Sequence, residues 1–209
     1  MIIRSIQADK VSKKFGARKI FSEISFRVKQ GDSLSIAGKN GSGKSTLCKV
    51  ILGLLSPSLG VVKYDLGNGS VDPADARSAV GFVSPYFSLY EDLTGMENMV
   101  YLSRIRSGED PPRVLLDELF ERFQIAQFKH VPVRTYSSGM KQRLKYIFAL
   151  AGAPSLLILD EPTSNLDESG SNIVRTACKE FQKDGILIIA SNEAEEVQWC
   201  SATITLNSR

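Results

Sequence analysis

The chain has 209 residues, 43% of them hydrophobic and 23% charged, which fits one globular domain with a sizeable core and room for a subdomain. A net charge of +3, from 26 basic and 23 acidic side chains, is too mild to argue for a nucleic-acid partner, and none is expected. No apolar run approaches the ~20 residues of a membrane helix, the N-terminal MIIRSIQADK lacks a signal-peptide core, and Cys48, Cys178 and Cys200 form no CxxC pair, so a cytosolic chain with buried free thiols is expected.

Taken in chain order, residues 1–30 alternate in strand fashion, as in Ile24-Ser25-Phe26-Arg27-Val28, and predict antiparallel strands. Strands and helices then alternate. Ser33 to Ala37 reads as a strand, Lys44 to Leu55 as a helix and Val80 to Val83 as a short strand. The interval from about 86 to 152 holds no convincing strand. Thr94-Gly95-Met96-Glu97 is a capping box opening a helix toward Arg106. Asp110-Pro111-Pro112 opens a second helix, with Leu115, Leu116, Leu119 and Phe123 on one face. A third starts near Gly139-Met140 and runs to about Gly152. Beyond it, Ser155 to Leu159 and Ile186 to Ala190 are apolar on both faces, as strands of a helix-covered parallel sheet are. The pattern predicts an α/β core with a helical insertion.

Gly38 to Thr46, GKNGSGKST, fits G-x-x-x-x-G-K-[ST] between a predicted strand and a predicted helix. Glycines let backbone N–H groups turn inward around phosphate oxygens, and the helix N-terminus adds its positive dipole. Gly38, Asn40, Gly41, Ser42, Gly43, Lys44, Ser45 and Thr46 are therefore candidate nucleotide contacts, with Lys44 reaching the β- and γ-phosphates and the Ser45 hydroxyl available to Mg²⁺. A Gly-rich turn that merely carries Lys-Ser is the plainer alternative.

LLILDEPTSNLD, Leu156 to Asp167, sets two acids at the end of an apolar strand. Asp160 at such an end can hold the magnesium shell, and Glu161 can aim at a water in line with the γ-phosphate as a general base. Without a phosphate loop upstream, an ordinary surface turn would explain these acids as well.

YSSGMKQR, Tyr136 to Arg143, is the third signal. A phosphate loop, a Ser-x-Gly helix start and LLILDEPTSNLD in this order resemble the ATP-binding cassette (ABC) ATPases along essentially the whole chain. Many members read LSGGQ-x-QR where this chain has Ser137, Ser138, Gly139 and Met140. The resemblance implies a P-loop NTPase core with a mainly parallel sheet, an N-terminal antiparallel β-subdomain and an inserted α-helical subdomain. It places a single ABC ATPase domain over residues 1–209, with the insertion at about 86–152.

It further implies ATP and Mg²⁺ as ligands, with ATP sandwiched between the phosphate loop of one copy and Ser137, Ser138 and Gly139 of the other in a homodimer. A helix start of this kind is an anion site, and one cassette per chain points to twofold pairing. Phe15 falls where the family stacks an aromatic on adenine, though a core Phe is the alternative. Asp167 closes a segment resembling the D-loop, with Asn165 where Ala is usual. Partners would be transmembrane permease subunits, and the location cytoplasmic, peripheral on the inner face of the membrane.

Two positions depart from the family. Pro85, in GFVSPYF, replaces a Gln that binds Mg²⁺ or orients the water, and Ser84 or Ser88 are weak substitutes. Tyr86, Phe87 and Tyr90 behind it either dock a membrane subunit or pack within the insertion. Asn192 stands where most members carry a His, and the one histidine, His130, lies elsewhere. An Asn amide can donate to a γ-phosphate oxygen but carries no positive charge and cannot titrate. It can equally cap a helix starting at Glu193.

The reading that results is the ATP-hydrolysing subunit of an ABC transporter, of exporter type. The alternatives are a nucleotide-gated module with slow turnover and a non-transport ABC ATPase.

Overall fold

Alternation of apolar and polar residues draws the chain first into a long hairpin, strands β1 (Ser5–Phe15) and β2 (Arg18–Lys29), turning at Gly16 with φ 56°. A computed structural model describes residues 1–207. β1 buries Ile6, Ala8 and Val11 on one face, and its register slips after Ala8, where Lys10 adopts φ 47°. Two further antiparallel strands, β4 (Leu59–Asp65) and β5 (Ser70–Val71), complete a sheet of order β2-β1-β4-β5.

The second sheet is parallel. It contains β3 (Ser33–Ala37), β6 (Val80–Val83), β7 (Leu156–Asp160), β8 (Ile186–Ser191) and β9 (Ala202–Thr205), in the order β6-β7-β8-β3-β9. β7 and β8 are buried at every position, as strands covered on both faces must be. The two-residue period sorts their side chains between two cores. Leu156, Ile158, Ile186 and Ile188 pack with the antiparallel sheet and helix α1 (Lys44–Ile51). Leu157, Leu159, Leu187 and Ile189 pack with helices α2 (Gly95–Ser107), α3 (Arg113–Arg122), α4 (Ser138–Ala151) and α5 (Glu168–Gln182). Each such side chain contributes on the order of 1.5–3 kcal/mol.

The expected helices form, with shifted ends. α1 stops at Ile51, short of Leu55, because Gly53 turns the chain at φ 67°; a Cβ there would meet the Ala74 nitrogen at 2.6 Å. The Thr94 capping box is present, with Glu97 N–H donating to Thr94 Oγ1 at 3.2 Å and Thr94 N–H to Glu97 Oε2 at 2.8 Å. Asp110 does not open α3. Pro112 holds the cap position, and Asp110 instead takes the Arg104 guanidinium at 2.8 Å. Phe123 lies just past the end of α3 and is fully buried. A short helix α6 (Ala194–Val197) follows β8. No helix among the described residues is long and apolar enough to cross a membrane.

Candidate functional site

β3 ends in the loop that was expected to cradle phosphate. Gly43 sits at the N-cap of α1 with φ 103° and no side-chain cap, leaving the first N–H groups of the helix for a ligand. A Cβ on Gly43 would meet Ile20 Cγ2 at 2.5 Å, so hairpin and loop could not close with a larger residue. Lys44 is 5% exposed, and its ammonium donates to the carbonyls of Gly38 at 2.9 Å and Lys39 at 3.3 Å. It also lies 3.6 Å from Glu161 Oε1. Gly38 and the buried Ser42 form the base of the loop; a Cβ on Gly38 would meet Ser42 Oγ at 2.5 Å and the Leu206 carbonyl at 2.6 Å.

β7 brings Asp160 and Glu161 to the same edge. Asp160 is 1% exposed, and its Oδ1 is buried without a hydrogen-bond partner among the described residues. Burial pushes its carboxyl above the ordinary range, and the Ser45 hydroxyl and the Lys44 and Lys49 ammoniums offset this only in part. A buried orphan carboxylate oxygen beside a hydroxyl suits a hard cation such as Mg²⁺, which takes one or two protein oxygens and the remainder from phosphate and water. No group of three or more His, Cys, Asp or Glu side chains placed to hold a metal exists among the described residues. Glu161 adopts φ 54°, a left-handed conformation costly for a non-glycine, with its N–H held by the Ala190 carbonyl at 2.8 Å.

These groups face one cleft of about 710 Å³, lined by Phe15, Asn40, Gly41, Gly43, Lys44, Ser45, Thr46, Asp160 and Glu161 among others. Phe15 is 50% exposed at its mouth, with the Lys13 ammonium 5.0 Å from the ring centroid, which sets aside the core-Phe alternative. Arg18 and Ile20, which carry no motif, also line the cleft, with Tyr86 and Ser164.

Pro85 lies on the wall of the cleft with no polar side chain to offer. Ser84 cannot stand in for a Gln: it is 3% exposed, and its hydroxyl accepts from the Tyr86 N–H at 3.3 Å. The carbonyls of Ser84 and Pro85 both take the Lys145 ammonium of α4, at 3.2 Å each. The three aromatics behind Pro85 separate. Tyr86 is 78% exposed, Phe87 stacks on Phe148 at 5.2 Å, and Tyr90 meets Tyr101 edge-on at 5.0 Å.

β8 lies between β7 and β3, so Asn192 leaves the sheet between Asp160 and the phosphate loop. It is exposed, is not among the cleft-lining residues of the single chain, and its amide points at Glu193 Oε1, 3.4 Å away. It does not cap the next helix. α6 starts at Ala194 with Glu193 at the cap position, and the hydroxyl of Ser191, not the amide of Asn192, takes the Glu193 N–H at 2.9 Å. Ser191 in turn donates to Glu196, which also accepts from the Thr163 hydroxyl and, at 2.9 Å, from the Thr163 N–H.

Ser137 caps α4, accepting the Met140 N–H at 3.2 Å, and both Ser137 and Ser138 are exposed. A Cβ on Gly139 would come 3.3 Å from the Asn165 carbonyl, so the α4 start lies against the segment before Asp167. Asp167 is the N-cap of α5, accepting the Gly170 N–H at 2.7 Å. None of Ser137, Ser138, Gly139 or Asp167 lines the cleft of its own chain.

The ABC transporter family model matches residues 21–164. The uncharacterized ABC transporter ATP-binding protein YdbJ of Bacillus subtilis is 36% identical over 190 residues, covering 90% of this chain and 61% of its own length. The Nod factor export ATP-binding protein I of Rhizobium leguminosarum is 31% identical over 190 residues, covering 89% of this chain and 60% of its own. This chain thus spans about three fifths of the length of these two relatives. A dimeric ATP-binding cassette in a post-hydrolysis state bound to ADP and Pi superimposes with a TM-score of 0.84 at 25% identity, over 96% of this chain and 94% of that one. The chain belongs to the ABC transporter family of ATP-binding proteins.

Proposed function

We propose that this chain binds and hydrolyses ATP and drives export through a separate transmembrane subunit, working as a homodimer at the cytoplasmic face of the membrane. One observation carries the reading: the Lys44 ammonium, the orphan oxygen of Asp160 and the Glu161 carboxylate meet in one cleft at the carboxyl edge of a parallel sheet.

Lys44 and the N–H groups around Gly41 and Gly43 hold the phosphates, and Phe15 stacks on the base. Ser45 and Asp160 are the residues that would hold Mg²⁺, whose chemistry when bound is to neutralise charge on the β- and γ-phosphates. Glu161 takes a proton from, or polarises, the attacking water. Asn192 donates an amide hydrogen bond to the γ-phosphate. The exposed α4 start at Ser137, Ser138 and Gly139 presents its N–H groups to ATP on a second copy, with Asp167 beside that interface. The direction of transport is supported by the export role in the name of the Rhizobium relative.

The test is Glu161→Gln with ATP and Mg²⁺ on size exclusion. The expected result is an ATP-dependent dimer with turnover lowered by ~10²–10⁴-fold. A strictly monomeric variant that retains turnover would sink the reading. Pro85 and the outward Asn192 favour a second reading, a nucleotide-gated module whose turnover is slow. Single-turnover hydrolysis on the hour scale, with ATP-dependent dimerisation intact, would support it.

A further inference from the structure

Three acids follow β8, and two of them, Glu193 at the cap position of α6 and Glu195 within it, are exposed. Glu196 differs. It is 4% exposed on a helix of four residues, and burying a carboxylate there is costly unless it is hydrogen-bonded. Both of its oxygens are. Oε1 accepts the Thr163 N–H at 2.9 Å and the Thr163 hydroxyl, and Oε2 accepts the Ser191 hydroxyl.

The partners give this buried group its meaning. Thr163 is two residues past Glu161, and Ser191 directly precedes Asn192. Glu161 is held at φ 54°, a conformation that persists only when its surroundings over-determine it. On its N-terminal side it is held by the Ala190 carbonyl at 2.8 Å. Tyr146 Oη donates to the Pro162 carbonyl at 2.8 Å, and Glu196 holds the next residue. The same carboxylate fixes the strand end from which Asn192 projects.

We propose that Glu196 is a positioning residue for ATP hydrolysis: it ties the loop after Glu161 to the strand end before Asn192, so that base and γ-phosphate donor move as one unit. This rests on the ATPase reading above. Glu196 acts through Thr163 and Ser191, the residues it holds.

The experiment compares the full parent chain with Glu196→Gln, Glu196→Ala, Thr163→Val and Ser191→Ala. Steady-state ATP hydrolysis with Mg²⁺, equilibrium ATP affinity and the thermal midpoint are read for each, with Glu161→Gln as control. Glu196→Gln keeps the shape and one acceptor oxygen but sets an amide donor against a hydroxyl. Its kcat should fall ~10–100-fold, with ATP affinity within about twofold of parent, because small displacements of reacting groups cost that much. Glu196→Ala should be worse than Gln in kcat, and that partial rescue separates positioning from bulk stability. Thr163→Val and Ser191→Ala each strip one bond and should each lower kcat, which keeps the test decisive if Glu196→Ala does not fold. Parent kcat in Glu196→Gln, Thr163→Val and Ser191→Ala overturns the proposal, as does a loss seen only in ATP affinity. A parent without turnover, or a Glu161→Gln variant that keeps it, overturns the ATPase reading and this proposal together. Normal behaviour of those two, with a parent-like Glu196→Gln, overturns this proposal alone.

Discussion

β7 and β8 are neighbours in one sheet, with Asp160 set against Ala190 at the same edge, yet their ends are built by opposite rules. β7 ends on an oxygen with no hydrogen-bond partner among the described residues and on a residue held left-handed. β8 ends on a hydroxyl that is fully engaged, giving to Glu196 and taking from Glu193, and on an Asn turned outward. An unsatisfied buried carboxylate oxygen and an αL glutamate together cost stability, on the order of a few kcal/mol. A bound ligand would relieve the costs kept at the β7 end, whereas the β8 end has settled all but Asn192 by its own hydrogen bonds. On the proposed function most of the ligand-facing chemistry therefore belongs to β7, and β8 adds Asn192.

The sharpest break of that comparison starts from the cation facing the β7 end. Lys44→Ala should weaken ATP binding by about 100-fold or more in an equilibrium titration, since a buried charge-assisted contact to phosphate is lost; retained affinity would mean the β7 side is not where phosphate binds. Next comes Asp160→Asn. Burial holds the native carboxyl above its unfolded pKa, so the penalty on the charged form is full above the folded-state pKa and fades as pH falls through it toward the unfolded value. The amide lacks this penalty, and the nucleotide-free thermal midpoint should rise ~2–4 °C, for relief on the order of 1 kcal/mol, while Mg²⁺ ceases to strengthen ATP binding. A lower midpoint would mean the Asp160 end is scaffold. The smallest effect is expected at β8. Asn192→His should raise kcat only ~3–10-fold, the size of one improved hydrogen bond, with stability within ~0.5 kcal/mol because the position is exposed. Unchanged turnover would show that β8 contributes geometry alone.

The legibility of the chain follows the same division. The phosphate loop, β7 and β8 could be read because their residue types are forced: glycines where a Cβ would strike Ile20 or Ser42, and unbroken apolar runs where both faces are covered. β4 was missed because Leu59 and Val61 point outward and Gly60 breaks its alternation at φ 78°, so only Val62 and Tyr64 signal a core face. β9, an edge strand reading ATIT with a single half-buried residue, has almost no apolar signal at all. At the site, residue type alone makes Asn192 a cap candidate, but α6 starts at Ala194 with Glu193 at the cap position and no side-chain cap, while the Ser191 hydroxyl takes the Glu193 N–H. Glu196 reads in the sequence as one more solvated acid, and only the packing of a single helical turn against the β7 loop singles it out. The left-handed Glu161 carries no composition signal either; its N–H is held by the Ala190 carbonyl on the neighbouring strand, a contact between residues far apart in the chain.

Lys145 carries a mechanical consequence. Its ammonium clasps the carbonyls of Ser84 and Pro85, and it stands about two turns along α4 from the helix start at Ser138. One end of this rod is the exposed helix start at Ser137 and Ser138, and its middle is tied to the wall of the chain's own cleft at Pro85. Any shift of α4 would reach the cleft wall through the Lys145 side chain, at the carbonyls of Ser84 and Pro85.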